Sequence, residues 1–400
     1  MLIRNITLLG HKDHGKSTLI GSLLIQTDSI LPAKIEEAKR MSKKLKKPFE
    51  PGFILDSFHE EREQGRTIEA ARAEVQYRRQ MFTLIDVPGH EELIKNMISG
   101  ASAGDLALLL VSAKADEGIK KQTKRHIYIA KMLGIDKMVV AVNKLDLIKY
   151  DQKRFNEISA EIGEFMDTIG FDRKNVHFIP ISAYNAENII TKSKNLRWYK
   201  GKTLMEQLYA NSKQNANANG PLRIILQGKI AGDVVIGNVV SGSVKVGEHV
   251  RIQSIPETVK SIVVKGKNVK RANTGVNVAV SLDKKVDAAR GSVISSAADP
   301  IVPRKELNAR IFVTGKIGSK PRISFNGVET QCNSIKIQKR IDTTTGLEAK
   351  AKQSDLLNAI RARISLKNSI PMEKFEKTKE LGRFVVYNGK TFAGIGVVEN

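Results

Sequence analysis

Cysteine is nearly absent from this chain. Cys332 is the only one in 400 residues, so no internal disulfide can form and a reducing, cytoplasmic setting is expected. Aromatic residues make up 5% of the chain, with a single tryptophan, which leaves little material for stacking nucleic-acid bases on a barrel face. No apolar stretch approaches the roughly 20 residues of a membrane span, and Met1-Leu2-Ile3-Arg4 runs directly into a first strand. A soluble, cytosolic protein with no membrane partner is expected. Acidic residues are also short: 42 Asp+Glu against 66 Lys+Arg, a net charge of +24. Residues 1–220 hold 35 Lys+Arg and 27 Asp+Glu, a net of +8, and residues 221–400 hold 31 and 15, a net of +16. A field of that sign attracts phosphate backbones, with RNA rather than DNA the expected polymer, although a Lys-rich solvated face would carry the same charge.

Glycine and lysine, by contrast, are placed with purpose near the start. Gly10-His11-Lys12-Asp13-His14-Gly15-Lys16-Ser17 follows the apolar run Ile6-Thr7-Leu8-Leu9 and leads into Thr18-Leu19-Ile20. This reads as strand, phosphate-binding loop and helix. In the pattern G-x-x-x-x-G-K-[ST] the glycines let backbone N–H groups close around the β-phosphate, Lys16 supplies charge to the β- and γ-phosphates, and the Ser17 hydroxyl ligates Mg²⁺. The chain is therefore expected to be a nucleoside triphosphatase.

The base follows from a second element. Residues 137–142 are a β-branched, apolar run typical of a buried parallel strand, and Asn143-Lys144-Leu145-Asp146 stands where that strand ends. A carboxylate at Asp146 accepts from both N1–H and the N2 amino group of guanine, a pair that adenine lacks. Asn and Asp after a strand also cap ordinary turns; downstream of a phosphate loop, the guanine reading is the stronger. Ser182-Ala183, after the expected strand at 177–181, fits a backbone support beside the base.

Between these lie two candidate sensors of the γ-phosphate. In Asp86-Val87-Pro88-Gly89-His90, Asp86 would hold Mg²⁺ through water, Gly89 would offer its N–H to the γ-phosphate, and His90 would orient the attacking water. In Glu61-Arg62-Glu63-Gln64-Gly65-Arg66-Thr67-Ile68, Thr67 would complete the Mg²⁺ shell. Hydrolysis would release both loops, making them an order–disorder switch.

The segments GHKDHGKSTLIGSLL, ILDSFHEEREQGRTIE, DVPGHEELIKNMISGAS and VAVNKLDL resemble the GTPase superfamily of elongation factor 1-alpha and elongation factor Tu. That superfamily also includes the GTPase subunit of heterodimeric sulfate adenylyltransferase. The resemblance extends over the whole chain, through Pro221-Leu222-Arg223-Ile224 to Leu381-Gly382-Arg383-Phe384 and Gly394-Ile395-Gly396-Val397-Val398. It implies GTP/GDP and Mg²⁺ as ligands. Relatives carry apolar residues at the positions of Lys12 and Arg66, thought to gate the catalytic His. These two cations either face solvent or pair with Glu residues of 60–63, or else Arg66 reaches the γ-phosphate as an arginine finger in cis, making it a fourth catalytic candidate beside His90, Lys16 and Thr67.

The expected architecture is an α/β P-loop GTPase domain, mostly parallel with helices on both faces, followed by two small antiparallel β-barrels. Residues 1–210 form the GTP-binding domain, 211–220 an Asn-rich linker, 221–300 the first barrel and 301–400 the second. Helical patterns at 124–133 and 157–169 mark the first part, whereas alternating residues with Gly237, Gly242 and Gly247 mark the barrels. Within the family, the short connection between Val111-Ser112-Ala113-Lys114 and Gln122, together with Lys46-Lys47-Pro48-Phe49-Glu50, looks most like the sulfate-activation branch. That resemblance implies a catalytic sulfate adenylyltransferase subunit as partner. The basic barrels and Asp13-His14-Gly15 point instead to a translation factor meeting tRNA or the ribosome. An abbreviated loop over Gln227–Asp233 is expected at the start of the first barrel.

Overall fold

A computed structural model describes residues 3–44, 46, 48–55, 72–86, 106–211, 220–231, 233–253, 255–350 and 356–399. The chain forms two compact units, Met1–Gln214 with Thr343–Gly346, and Asn215–Asp342 with Leu347–Asn400.

The first unit is built on six strands: β1 (Ile3–Leu9), β2 (Arg72–Tyr77), β3 (Gln80–Asp86), β4 (Leu106–Ser112), β5 (Lys137–Asn143) and β6 (Val176–Pro180). Their order is β2-β3-β1-β4-β5-β6. Only β2 runs antiparallel, to β3; the other pairs are parallel. β4 (LALLLVS) is buried along its whole length, as a strand covered on both faces must be. The connections carry helices α1 (Lys16–Gln26), α2 (Pro32–Lys44), α3 (Lys121–Met132), α4 (Gln152–Thr168) and α5 (Leu204–Asn211). α4 begins well before its apolar period because the Asp151 carboxylate accepts from Lys153 N at 2.8 Å, an N-cap that starts the helix early. It then buries Phe155, Ile158, Ile162, Phe165 and Met166, one stripe at helical spacing. Among the described residues no helix is long and apolar enough to cross a membrane.

The register decides where a site can form. Leu8 lies beside Asp86, Leu9 beside Leu109, Ser112 beside Asn143, and Val142 beside Pro180. The carboxyl ends of β1, β3, β4, β5 and β6 therefore share one edge, where open α/β sheets take ligands.

The second unit holds two closed antiparallel barrels. β7 (Arg223–Ala231), β8 (Val234–Ser241), β10 (His249–Ile252), β11 (Ile255–Val264), β14 (Asn277–Leu282) and β15 (Val293–Ser296) run in the order β10-β15-β7-β8-β14-β11, and β10 pairs with β11 to close the ring. β12 (Lys267–Val269) extends β11, and β9 (Ser243–Lys245) pairs with β13 (Arg271–Asn273). The second ring runs β17 (Arg322–Phe325), β21 (Arg383–Asn388), β22 (Thr391–Val398), β16 (Arg304–Val313), β20 (Ala359–Ile370), β18 (Val328–Ile341). The β17–β18 pairing closes it, and β19 (Glu348–Lys350) is appended to β18. Ile224, Val235, Val250 and Val280 are in one core, and Ile311, Phe325, Ile364 and Phe384 in the other.

One sequence expectation changes here. Residues 227–231 are strand rather than loop: β7 runs to Ala231 and pairs with β8, with register shifts between Leu226 and Gly228 and between Lys229 and Ala231. Gly228 thus marks a bulge, which disturbs pairing without ending the strand. The barrels also share an ion network centred on a buried arginine. Arg223 is fully buried, donating to Glu373 at 2.9 and 2.6 Å and to Asp299 at 2.8 Å, while Lys377 donates to Asp299 at 2.7 Å.

Candidate functional site

The phosphate loop leaves β1 through Gly10, whose φ of +145° belongs to glycine. A Cβ there would come within 2.7 Å of Leu110 O. Lys12–His14 make a short 3-10 turn, and Gly15, at φ +88°, turns the chain into α1. A Cβ on Gly15 would meet Asn143 Nδ2 at 2.5 Å. Both glycines are thus demanded by conformation and by space, and the loop presents backbone N–H groups at the start of a helix, the arrangement that binds anions.

Three side chains stiffen this loop. His14 is buried and its Nδ1 lies 3.0 Å from Leu110 O, so Nδ1 carries the proton. Burial above all holds its pKa below the usual imidazole value, helped by His11 and Lys16 and opposed by the Leu110 carbonyl and Glu117. Lys16 folds its ammonium over the loop, donating to Gly10 O at 3.1 Å and His11 O at 3.2 Å. Its pKa is lowered by burial, with the Asp86 and Asp13 carboxylates acting the other way. Thr18 donates its hydroxyl to Glu50 Oε1 at 2.7 Å. Ser17 is exposed, and Asp86 ends β3 close enough for its charge to be felt by Lys16.

The loop after β5 is bound to the phosphate loop directly. Asn143 is buried; its Nδ2 donates to His14 O at 2.9 Å and its Oδ1 accepts from Ala183 N at 2.9 Å. One amide therefore ties together the phosphate loop, the β5 end and the segment after β6. Ser182 donates its hydroxyl to Asp146 Oδ1 at 2.6 Å and accepts from Asn185 N at 3.1 Å. Asp146 keeps its other oxygen for a ligand with donors in one plane. Lys144 stands at φ +65°, and its ammonium reaches Glu117 Oε2 at 2.7 Å. Glu117 was not anticipated; the acidic pair Asp116-Glu117 in a Lys-rich connection was the only trace of it in the sequence.

The structure thus gathers Gly10, His11, Asp13, His14, Gly15, Lys16, Ser17, Thr18, Asn143, Lys144, Asp146, Ser182 and Ala183 along one sheet edge, with Asp86 beside Lys16. Arg66, Thr67, Gly89 and His90 lie outside the described residues, as do the Lys12 side chain and linker positions 212–219.

Known proteins resemble this chain along most of its length. Residues 1–215 match the family described as Elongation factor Tu GTP binding domain, and residues 306–399 match GTP-eEF1A C-terminal domain-like. Elongation factor 1-alpha of Sulfurisphaera tokodaii is 37% identical, covering 98% of this chain and 96% of that protein. Elongation factor 1-alpha of Metallosphaera sedula is 36% identical, over 99% and 96%. The structure of sup35 complexed with GMPPNP aligns at a TM-score of 0.44 and 22% identity, covering 99% of this chain and 93% of that one.

These relatives support the translation-factor alternative better than the branch expected from loop lengths. They bear the elongation-factor name, and the sulfate adenylyltransferase subunit finds no support in them. Connection length is a weak marker, because surface loops gain and lose residues at little cost to the fold.

Proposed function

The chain belongs to the GTPase family of elongation factor Tu and elongation factor 1-alpha, and on that premise we propose that it is a Mg²⁺-dependent, guanine-specific translational switch whose basic barrels engage tRNA or the ribosome. The observation that carries the reading is the Asn143 bridge, which holds a phosphate loop and a guanine-type carboxylate in one rigid frame.

The residues present fit the ligands. Gly10 and Gly15 leave no room for a Cβ, so the loop around the phosphates is lined by N–H groups. Ser17 and Asp86 offer hard oxygen donors, which suit Mg²⁺. A magnesium ion held there would supply positive charge against the negative charge that develops on the phosphate oxygens. The loop amides and Lys16 hold the β- and γ-phosphates. Ser17 and Thr67, with Asp86 through water, would hold the ion. Asp146, kept in place by Ser182, selects guanine, and Lys144 flanks the ring. Gly89 would offer its N–H to the γ-phosphate and His90 would orient water toward it, while Arg66 would either act as an arginine finger in cis or remain a surface cation.

The division into residues 1–210, 211–220, 221–300 and 301–400 belongs to the same proposal, supported by the separate cores of the sheet and the two barrels. The RNA partner is supported by the charge of the barrels. Lys265, Lys267, Lys270 and Arg271 are all exposed, and Lys245 and Arg271 face each other in register on β9 and β13. Like charges directly opposite destabilise a sheet, a cost that a bound polyanion would remove.

Filter binding of tRNA and ribosomes, with GTP or GDP, at low and physiological salt tests this. Binding that depends on the nucleotide and falls steeply with salt is expected. No retention of either RNA at any salt would overturn the translation reading.

A further inference from the structure

Lys144 is constrained at both ends, and the constraint on its ammonium comes from a residue to which neither the fold nor the family comparison gives a role. Its backbone is left-handed, at φ +65°, a conformation that costs energy in a non-glycine residue. Its ammonium is 2.7 Å from Glu117 Oε2, while Glu117 Oε1 receives Lys114 Nζ at 3.1 Å. Each carboxylate oxygen thus takes one lysine. The pair is largely shielded, with side-chain exposures of 19% for Glu117 and 24% for Lys144.

Glu117 is itself held in place. The connection after β4 is tied down by Ala113 N donating to Asn143 O at 2.8 Å, Gly118 N to Lys114 O at 3.0 Å, Lys120 Nζ to Asp116 O at 2.6 Å, and Arg154 Nε to Ala113 O at 3.2 Å. The four-carbon stem of Lys144 is therefore stretched between two fixed points, its own backbone at the end of β5 and the Glu117 carboxylate. An untethered lysine stem would lose rotamer entropy on becoming ordered against a ligand; here most of that order exists beforehand.

We propose that Glu117 is a positioning residue for guanine nucleotide binding: it tethers the Lys144 ammonium so that the lysine stem stands as a preformed apolar wall against the purine ring. This rests on the reading of Asn143–Asp146 as the guanine site. The carboxylate does not touch the nucleotide; it slows dissociation by keeping Lys144 in its bound conformation. The connection that carries Glu117 thereby sets how long GDP stays.

The test is a double-mutant cycle on the full-length protein, reading GDP affinity by calorimetry and GDP dissociation by stopped-flow fluorescence. Glu117→Gln, close in shape and without charge, is expected to speed dissociation about tenfold when Lys144 is present and to have no further effect in Lys144→Ala. Glu117→Asp, which keeps the charge, should restore most of the affinity, a rescue that a merely structural loop residue would not show. Thermal unfolding without nucleotide establishes that each variant is folded. Equal losses with and without Lys144, or an unchanged GDP off-rate in Glu117→Gln, would overturn the proposal. Failure of the unsubstituted protein to bind GDP would instead overturn the guanine-site reading, and the proposal with it.

Discussion

The Ser182 hydroxyl donates to Asp146 Oδ1 at 2.6 Å while accepting from Asn185 N at 3.1 Å. The serine is wholly buried, so it fixes the plane of the carboxylate proposed to read the base. Ser182→Ala should therefore weaken GDP binding by roughly 1.5–2 kcal/mol, the usual worth of a hydrogen bond to a charged group. Titration calorimetry on the two proteins checks this.

Asn143 carries a larger structural burden. Asn143→Ala removes both its donor and its acceptor, leaving His14 O and Ala183 N buried without their partner. Orphaned buried groups cost about 1–3 kcal/mol each. The variant should unfold at markedly lower denaturant and bind GTP poorly; a variant of unchanged stability would contradict the clamp.

Acid should act on the site in two stages. His14 is neutral in the folded protein because burial lowers its pKa, whereas the unfolded chain protonates it near 6.5. The unfolded state binds more protons below that pH, so stability falls as pH drops through about 6.5, with a slope of up to about 1.4 kcal/mol per unit. For Glu117 burial works to raise the pKa, but Lys144, Ser112 and Lys114 outweigh it and hold the value at about 2. Its contribution is complete above the ordinary carboxylate range and is lost as pH falls from there toward 2. Urea denaturation across pH should show the first decline flattened in His14→Asn and the second in Glu117→Gln.

The barrels should depend on one another through Arg223. Burial would raise the pKa of Glu373, yet Arg223, Lys377 and Thr378 hold it down, so the network stays charged at any working pH. Removing one member of a buried pair strands the other. Glu373→Ala should cost about 3 kcal/mol, and the swap of Arg223 and Glu373 for an apolar pair of similar volume should cost far less. Chemical denaturation of the three proteins decides between these outcomes.

Hydrolysis should respond to the departures at the gate positions. If Arg66 approaches the γ-phosphate, Arg66→Ile slows single-turnover hydrolysis at least tenfold, about 1.4 kcal/mol of barrier, with GTP affinity retained. Unchanged rates would make Arg66 an ordinary surface cation.

Much of the site was legible because its chemistry is contiguous in sequence. Gly10 to Ser17 and Asn143 to Asp146 each place several functional groups within one turn, so spacing alone identifies them. The residues that position them were not legible. Glu117 lies 27 positions from Lys144, Glu50 lies 32 from Thr18, and Glu373 lies 150 from Arg223. Such pairs exist only once β strands have brought distant loops to one edge, and a charged residue in a lysine-rich chain gives no sign of its partner. The strand at 227–231 was misread for a related reason: Gly228 reads locally as a turn, but cross-strand pairing with β8 overrides it.

The central claim is that Asp146, in the frame built by Asn143 and Ser182, selects guanine. Calorimetric titration of the full-length protein with GTP, ATP and XTP in Mg²⁺, repeated for Asp146→Asn, tests it most directly. The account predicts tight GTP binding and no measurable ATP binding by the unsubstituted protein, with preference moving toward XTP in Asp146→Asn, where one acceptor oxygen becomes a donor amide. Equal affinity for ATP and GTP, or an Asp146→Asn variant that still prefers GTP, would contradict it.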